Sequence, residues 1–148
     1  MALLQQFFGE SKSILLAFFL LVTLDGCFEP DVSSPLKNTY WSLIELNGED
    51  SSNISSQPEV HLVFHANDNT FHGSDGCNRI QGSYIQNKEA FKFESIISTR
   101  MYCAESMDQA DAFLQVLSKT KLTKIEEDYL ILYAADVELA RFEAKDEY

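Results

Sequence analysis

The chain has 148 residues, a length that suits one domain, with 11 basic against 23 acidic residues and a formal net charge of −12. An acidic surface of this kind repels phosphate backbones and anionic headgroups, which argues against a nucleic-acid partner. The acidity is otherwise the ordinary signature of a soluble surface.

Residues 14–24 (ILLAFFLLVTL) form an uncharged apolar run of 11 residues. A bilayer crossing takes about 20, so the run has the length of a signal-peptide core, with Lys12 ahead of it and Glu10 offsetting that charge. A buried helix is the alternative; the N-terminal position and the Pro/Ser-rich segment behind the run favour export. Leu24-Asp25-Gly26-Cys27 resembles a bacterial lipobox, with Asp25 as its one departure. On this reading residues 1–26 are removed, Cys27 is acylated, and residues 27–38 tether the domain to a membrane. Phe28, rather than Asp, after the cysteine resembles outer-membrane sorting in double-membraned bacteria. Cysteine parity points the same way. A lipidated Cys27 leaves Cys77 and Cys103 as an even pair, which an oxidising compartment lets join. Two free buried thiols are the other possibility.

Residues 39–46 (TYWSLIEL) read as a strand, with Trp41, Leu43 and Glu45 on one face and Tyr40, Ser42, Ile44 and Leu46 on the other. Asn47-Gly48 signals a turn, and the serine-rich residues 49–58 a loop, in which Asn53 is a glycosylation sequon by pattern only. Residues 59–65 (EVHLVFH) alternate, placing Val60, Leu62 and Phe64 inward and His61, Val63 and His65 outward. They pair as a hairpin with a short strand at 70–73. The stretch 73–84 (GSDGCNRIQGSY) holds Gly73, Gly76 and Gly82, three of the six glycines, together with Cys77. Glycines supply positive φ or let another backbone come close. Residues 81–86, with Tyr84, and 90–97, with Phe91 and Phe93 on one face, are further strands. Residues 98–103 (STRMYC) carry Cys103.

Residues 105–119 are the one helix: Ala110, Phe113, Leu114 and Leu117 make a single apolar stripe, with Met107 and Val116 at its edges. Ser106 and Gln109 have capping-box spacing, and Lys119 and Lys121 suit the negative end of the dipole. Strands follow at 120–125, 129–133 and 137–142, with Leu139 and Phe142 as core residues, and the charged residues 144–148 fray. About seven or eight short strands and one helix predict a mainly β (α+β) domain over residues 39–143. Its sheet is antiparallel and curls into a small, partly open barrel, with the helix packed on it.

Trp41-x-Leu43, Gly48, Pro58-x-Val60-x-Leu62-x-Phe64, Gly73-x-x-Gly76-Cys77-Asn78, Gly82-x-Tyr84, Thr99-Arg100-Met101-x-Cys103, the Phe113-Leu114 helix and Leu130-x-Leu132 together resemble the META domain family of HslJ-like bacterial lipoproteins. The likeness spans residues 41–142. Its most specific part is the pairing of the Gly-Cys-Asn and Thr-Arg-Met-x-Cys segments; Tyr102 stands where a small residue is common. The resemblance implies a small β-rich, partly open barrel with a helix, a place in the bacterial envelope, and no established catalytic activity. It also implies a setting of stress response, drug tolerance or virulence.

Cys77 and Cys103 lie 26 positions apart, and a disulfide closing that loop stabilises a fold by roughly 3–4 kcal/mol on the chain-entropy model. A Cys-dependent enzyme using His65 or His72 is the weakest functional reading. A reactive thiolate needs an electropositive niche, and Cys77 has Asp75 and Asn78 beside a single Arg79. Ser74 lacks the G-x-S-x-G elbow. His61 and His65, four positions apart on a strand, lie roughly 13 Å from each other, too far to share an ion. His72 with a cysteine matches no zinc spacing. No metal or cofactor is therefore expected. Arg100 pairs with Glu94 or Asp75, or binds an anion at the barrel mouth. Trp41, Phe64, Phe91 and Phe93 fill the interior, or else line an apolar groove. The expected function is that of a non-enzymatic, monomeric, lipid-anchored protein of the outer membrane. It attaches through its lipid and has a binding or stress-response role toward a protein or apolar small molecule. A carrier or pilot-like module holding an apolar ligand or peptide is the alternative.

Overall fold

Runs in which every second residue is apolar pair with their sequence neighbours here, because the turns between them are short. The computed structural model describes residues 35–51, 58–88 and 90–145. The apolar N-terminal run, the lipobox with Cys27, most of the tether, and Asn53 lie outside these residues. The described elements are β1 (Tyr40–Leu46), β2 (Glu49–Asp50), β3 (His61–Phe64), β4 (Thr70–Ser74), β5 (Arg79–Gln86), β6 (Phe91–Ser98), α1 (Met107–Lys119), β7 (Leu122–Glu126), β8 (Tyr129–Ala134) and β9 (Val137–Lys145). Eight strands run in the order β6-β5-β4-β3-β1-β9-β8-β7, and the two-residue β2 pairs with β1. Two antiparallel meanders, β3 to β6 and β7 to β9, are thus stitched together by β1, which pairs with both β3 and β9.

The expected barrel is not formed. The sheet is open, with β6 and β7 as its edges. At one end the Phe91 N–H donates to the Lys121 carbonyl at 2.8 Å, and no ladder follows. Instead α1 packs against β6 and delivers Phe113, Val116 and Leu117 to the core. The helix covers apolar surface that a closing pair of strands would otherwise cover.

The alternation of β3 is as read, with Val60, Leu62 and Phe64 buried, but the outward Val63 is buried as well. In β1 the register against β9 shifts between Leu43 and Glu45. This bulge adds a residue to β1, so Leu46 joins Trp41 and Leu43 in the core rather than facing away with Tyr40. The helix is rotated from the expected stripe: Gln109 and Val116 are buried with Ala110, Phe113 and Leu117, while Leu114 is only partly buried. The capping box does not form. Ser106 is the N-cap without a side-chain cap bond, and its hydroxyl donates to the Gly76 carbonyl at 3.3 Å.

Both ends of the domain are more firmly held than composition suggests. Residues 36–38, read from the sequence as the end of a tether, are bonded to the sheet. The Trp41 indole N–H donates to the Leu36 carbonyl at 3.0 Å, and the Asn38 N–H donates to the Phe64 carbonyl at 2.9 Å. Residues 144 and 145 do not fray: Ala144 pairs with Trp41 and Lys145 with Tyr40 in the β1–β9 ladder, and the Lys145 ammonium meets Glu59.

Gly73 sits opposite Leu62 in the β3–β4 ladder. A Cβ added there would lie 2.0 Å from the His61 carbonyl oxygen, a backbone atom with little freedom to move. Gly73→Ala is expected to lower unfolding free energy by about 1–3 kcal/mol, the range for overpacking. Urea denaturation checks this; an unchanged midpoint contradicts the close approach.

Candidate functional site

The turn between β4 and β5 is built by Asp75. Its carboxylate is fully buried and accepts the N–H groups of Cys77 at 2.9 Å and Asn78 at 2.5 Å. The Asp75 N–H donates to the Asn78 carbonyl at 3.1 Å. Such an Asx turn suits a short acidic side chain followed by glycine, and Gly76 takes φ +93°. The Gly76 N–H donates to the Ser74 hydroxyl at 3.1 Å.

Asn78 carries the turn across to the segment ahead of α1. Its side-chain carbonyl accepts the Met101 N–H at 2.7 Å and the Thr99 hydroxyl at 3.2 Å. The Arg79 N–H donates to the Thr99 hydroxyl, and the Thr99 N–H donates to the Arg79 carbonyl, each at 3.1 Å. A Cys77–Cys103 disulfide closes the far side, with Cα atoms 5.8 Å apart. The Cys103 carbonyl then accepts the N–H groups of Ser106 and Met107, both at 3.1 Å, which starts the helix. The two cysteine segments meet as the sequence suggested. The sequence assigns Asn78 and Thr99 no role in joining the two segments; their side chains are the polar half of the same clasp.

Between Thr99 and Cys103 the backbone is fixed at both ends while the side chains point out. Arg100 is exposed, Met101 is 56% exposed and Tyr102 85%. Arg100 meets neither expected partner. Asp75 is committed to the turn, and Glu94 pairs with Lys92 at 2.8 Å. The aromatics offered as a groove are core instead: Trp41, Phe64, Phe91 and Phe93 are all buried. Gly82 takes no part in the clasp; a Cβ there would crowd Phe71 and the Glu94 carbonyl. Tyr84 lies in the core beside Phe64 and Phe91.

The histidines meet one another. His72 Nδ1 and His65 Nε2 are 3.0 Å apart, and the rings are tilted with centroids 4.8 Å apart. Partial burial holds the His72 imidazole below its ordinary pKa, and charge on His65 and His61 adds to that. His61 stacks on Tyr40 at 4.6 Å. Among the described residues, no group of three or more His, Cys, Asp or Glu side chains is placed to share a metal.

The clasp unites two segments whose cysteines lie 26 positions apart in the chain. A model of the META domain matches residues 34–147. The chain belongs to the META domain family. Among solved structures, this META domain is similar to a protein from Burkholderia xenovorans determined by NMR. The two are 21% identical, with 80% of this chain and 93% of that one covered, at a TM-score of 0.61. A second protein determined by NMR is 19% identical, covering 72% of this chain and 90% of the other, at a TM-score of 0.57. A crystal structure of a DUF4847 family protein from Bacteroides vulgatus is 15% identical, covering 76% and 96%, at a TM-score of 0.55. At these identities the likeness establishes the fold. No curated protein matches the chain.

Proposed function

We propose that this META-domain protein is exported and anchored by lipid in the bacterial outer membrane, facing periplasm or surface. Its domain acts there without catalysis, in binding or stress protection. The observation that carries this reading is cysteine parity. The disulfide uses Cys77 and Cys103, so Cys27, directly behind an uncharged apolar run, is the odd cysteine of the three. A structural disulfide suits an oxidising compartment, and the apolar run supplies the means of export.

The non-enzymatic part rests on the clasp. Cys77 is buried and bonded to Cys103, and Asp75 and Asn78 spend their polar atoms on backbone groups, on Thr99 and on each other. What remains for a partner is the tip of Arg100, Met101 and Tyr102, held on a rigid base, which lowers the entropy lost on association.

Fractionation of a double-membraned bacterial host expressing wild type or Cys27→Ser tests the location. Wild type is expected in the outer-membrane fraction with the added mass of a lipid, and the variant in soluble form. Equal partition of the two, or wild type retained in the cytosol, overturns the proposal.

A further inference from the structure

The outer face of the β3–β4 hairpin carries chemistry that the clasp does not use. His72 lies in β4 opposite Val63. His65 follows β3, and its N–H donates to the Thr70 carbonyl at 3.0 Å. The two imidazoles are therefore diagonal neighbours across an antiparallel pair, on one face of a regular ladder. A cleft of about 340 Å³ opens beside them, lined also by the polar Thr70, Gln81, Ser83 and Ser95 and by Phe71, Gly82 and Ile97.

We propose that His65 and His72 form a two-imidazole site for a divalent transition-metal ion, with Cu²⁺ preferred. The separation of the facing nitrogens is 3.0 Å. With metal–imidazole bonds of about 2.0–2.1 Å, that spacing subtends roughly 95° at a shared ion. An angle near 90° is the cis angle of a tetragonal centre and is narrower than the tetrahedral angle zinc prefers in proteins. Tetragonal nitrogen and oxygen sites suit Cu²⁺ and Ni²⁺, and Cu²⁺ binds more tightly in the ordinary order of divalent ions. Water in the cleft completes the coordination shell. Between neutral rings the short contact is a hydrogen bond. When an ion enters, the donating ring shifts its proton to its other nitrogen, so both facing nitrogens present lone pairs. The chain's net charge of −12 attracts cations at long range.

His61 supplies an internal control. Its Nδ1 lies 2.9 Å from the Glu59 carbonyl and its ring is stacked on Tyr40, so it is engaged elsewhere. This inference stands independently of where the protein resides.

The test is a Cu²⁺ titration of the purified, tag-free protein, followed by pulsed electron paramagnetic resonance. The expected result is one equivalent of Cu²⁺ with two imidazole nitrogens in its equatorial plane. His65→Ala and His72→Ala are each expected to weaken binding roughly tenfold or more, at least the loss seen when an outer-shell partner of a metal ligand is removed. Each leaves one nitrogen in the spectrum, and His61→Ala leaves binding unchanged. Melting curves of the metal-free variants confirm that each is folded. A wild-type spectrum with fewer than two imidazole nitrogens overturns the proposal without recourse to any variant. So does undiminished affinity in both alanine variants.

Discussion

Replacing Cys77 and Cys103 together by alanine is expected to lower the unfolding free energy by about 3.5 kcal/mol, the chain-entropy value for a loop of this length. The cross-link spans 26 residues, enough chain for its removal to release substantial disorder in the unfolded state. The folded state changes less, because Asn78 still holds Thr99 and Met101 to the turn and Ser106 still reaches Gly76. The loss should therefore appear in equilibrium denaturation without collapse of the fold. Reductant supplies the control: it should destabilise wild type by a similar amount and leave the double variant unaffected. A loss below about 1 kcal/mol, smaller than a single cap or surface contact can supply, contradicts the role assigned to the bond.

Phe64→Ala is expected to be comparably damaging, by about 3–5 kcal/mol. Phe64 is fully buried and its ring is the hub of an aromatic group. Tyr84 lies 5.2 Å from it, Phe91 and Phe93 each 6.1 Å, and Phe71 6.2 Å. These partners come from β4, β5 and β6, so they cannot collapse into the vacated space without moving strands that ladders already fix. Phe64→Leu keeps most of the volume and should cost less than half as much. Urea denaturation of the two variants separates them; equal losses mean the hub is not packed as described. Such losses are large against the total stability of about 5–15 kcal/mol usual for a domain.

Much of this was readable from residues. The alternation in residues 60, 62 and 64, the helix after residue 105, and the likeness of the two cysteine segments to one family all pointed where the structure went. Other features depend on partners that a sequence does not display. The bulge in β1 carries neither glycine nor proline to mark it, so Leu46 read as facing away. Closure of the sheet depends on accumulated twist and on where α1 lies, neither of which is written in any one strand. Arg100 follows an apolar strand, where an edge Arg usually pairs with a carboxylate, yet it is exposed and Asp75 is consumed by backbone N–H groups. The His65–His72 contact crosses the β3–β4 hairpin, so spacing along one strand does not display it; the register of that hairpin does. Residues 36–38 and 144–145 looked like loose ends because their order comes from strands that pair with them from elsewhere in the chain.

Peptide mapping of the unreduced protein, with free thiols alkylated beforehand, puts the clasp to its most direct trial. The predicted result is a single linked species joining the peptide of Cys77 to that of Cys103, with neither sulfur alkylated. Recovery of both peptides separately, each carrying the alkylating group, contradicts it.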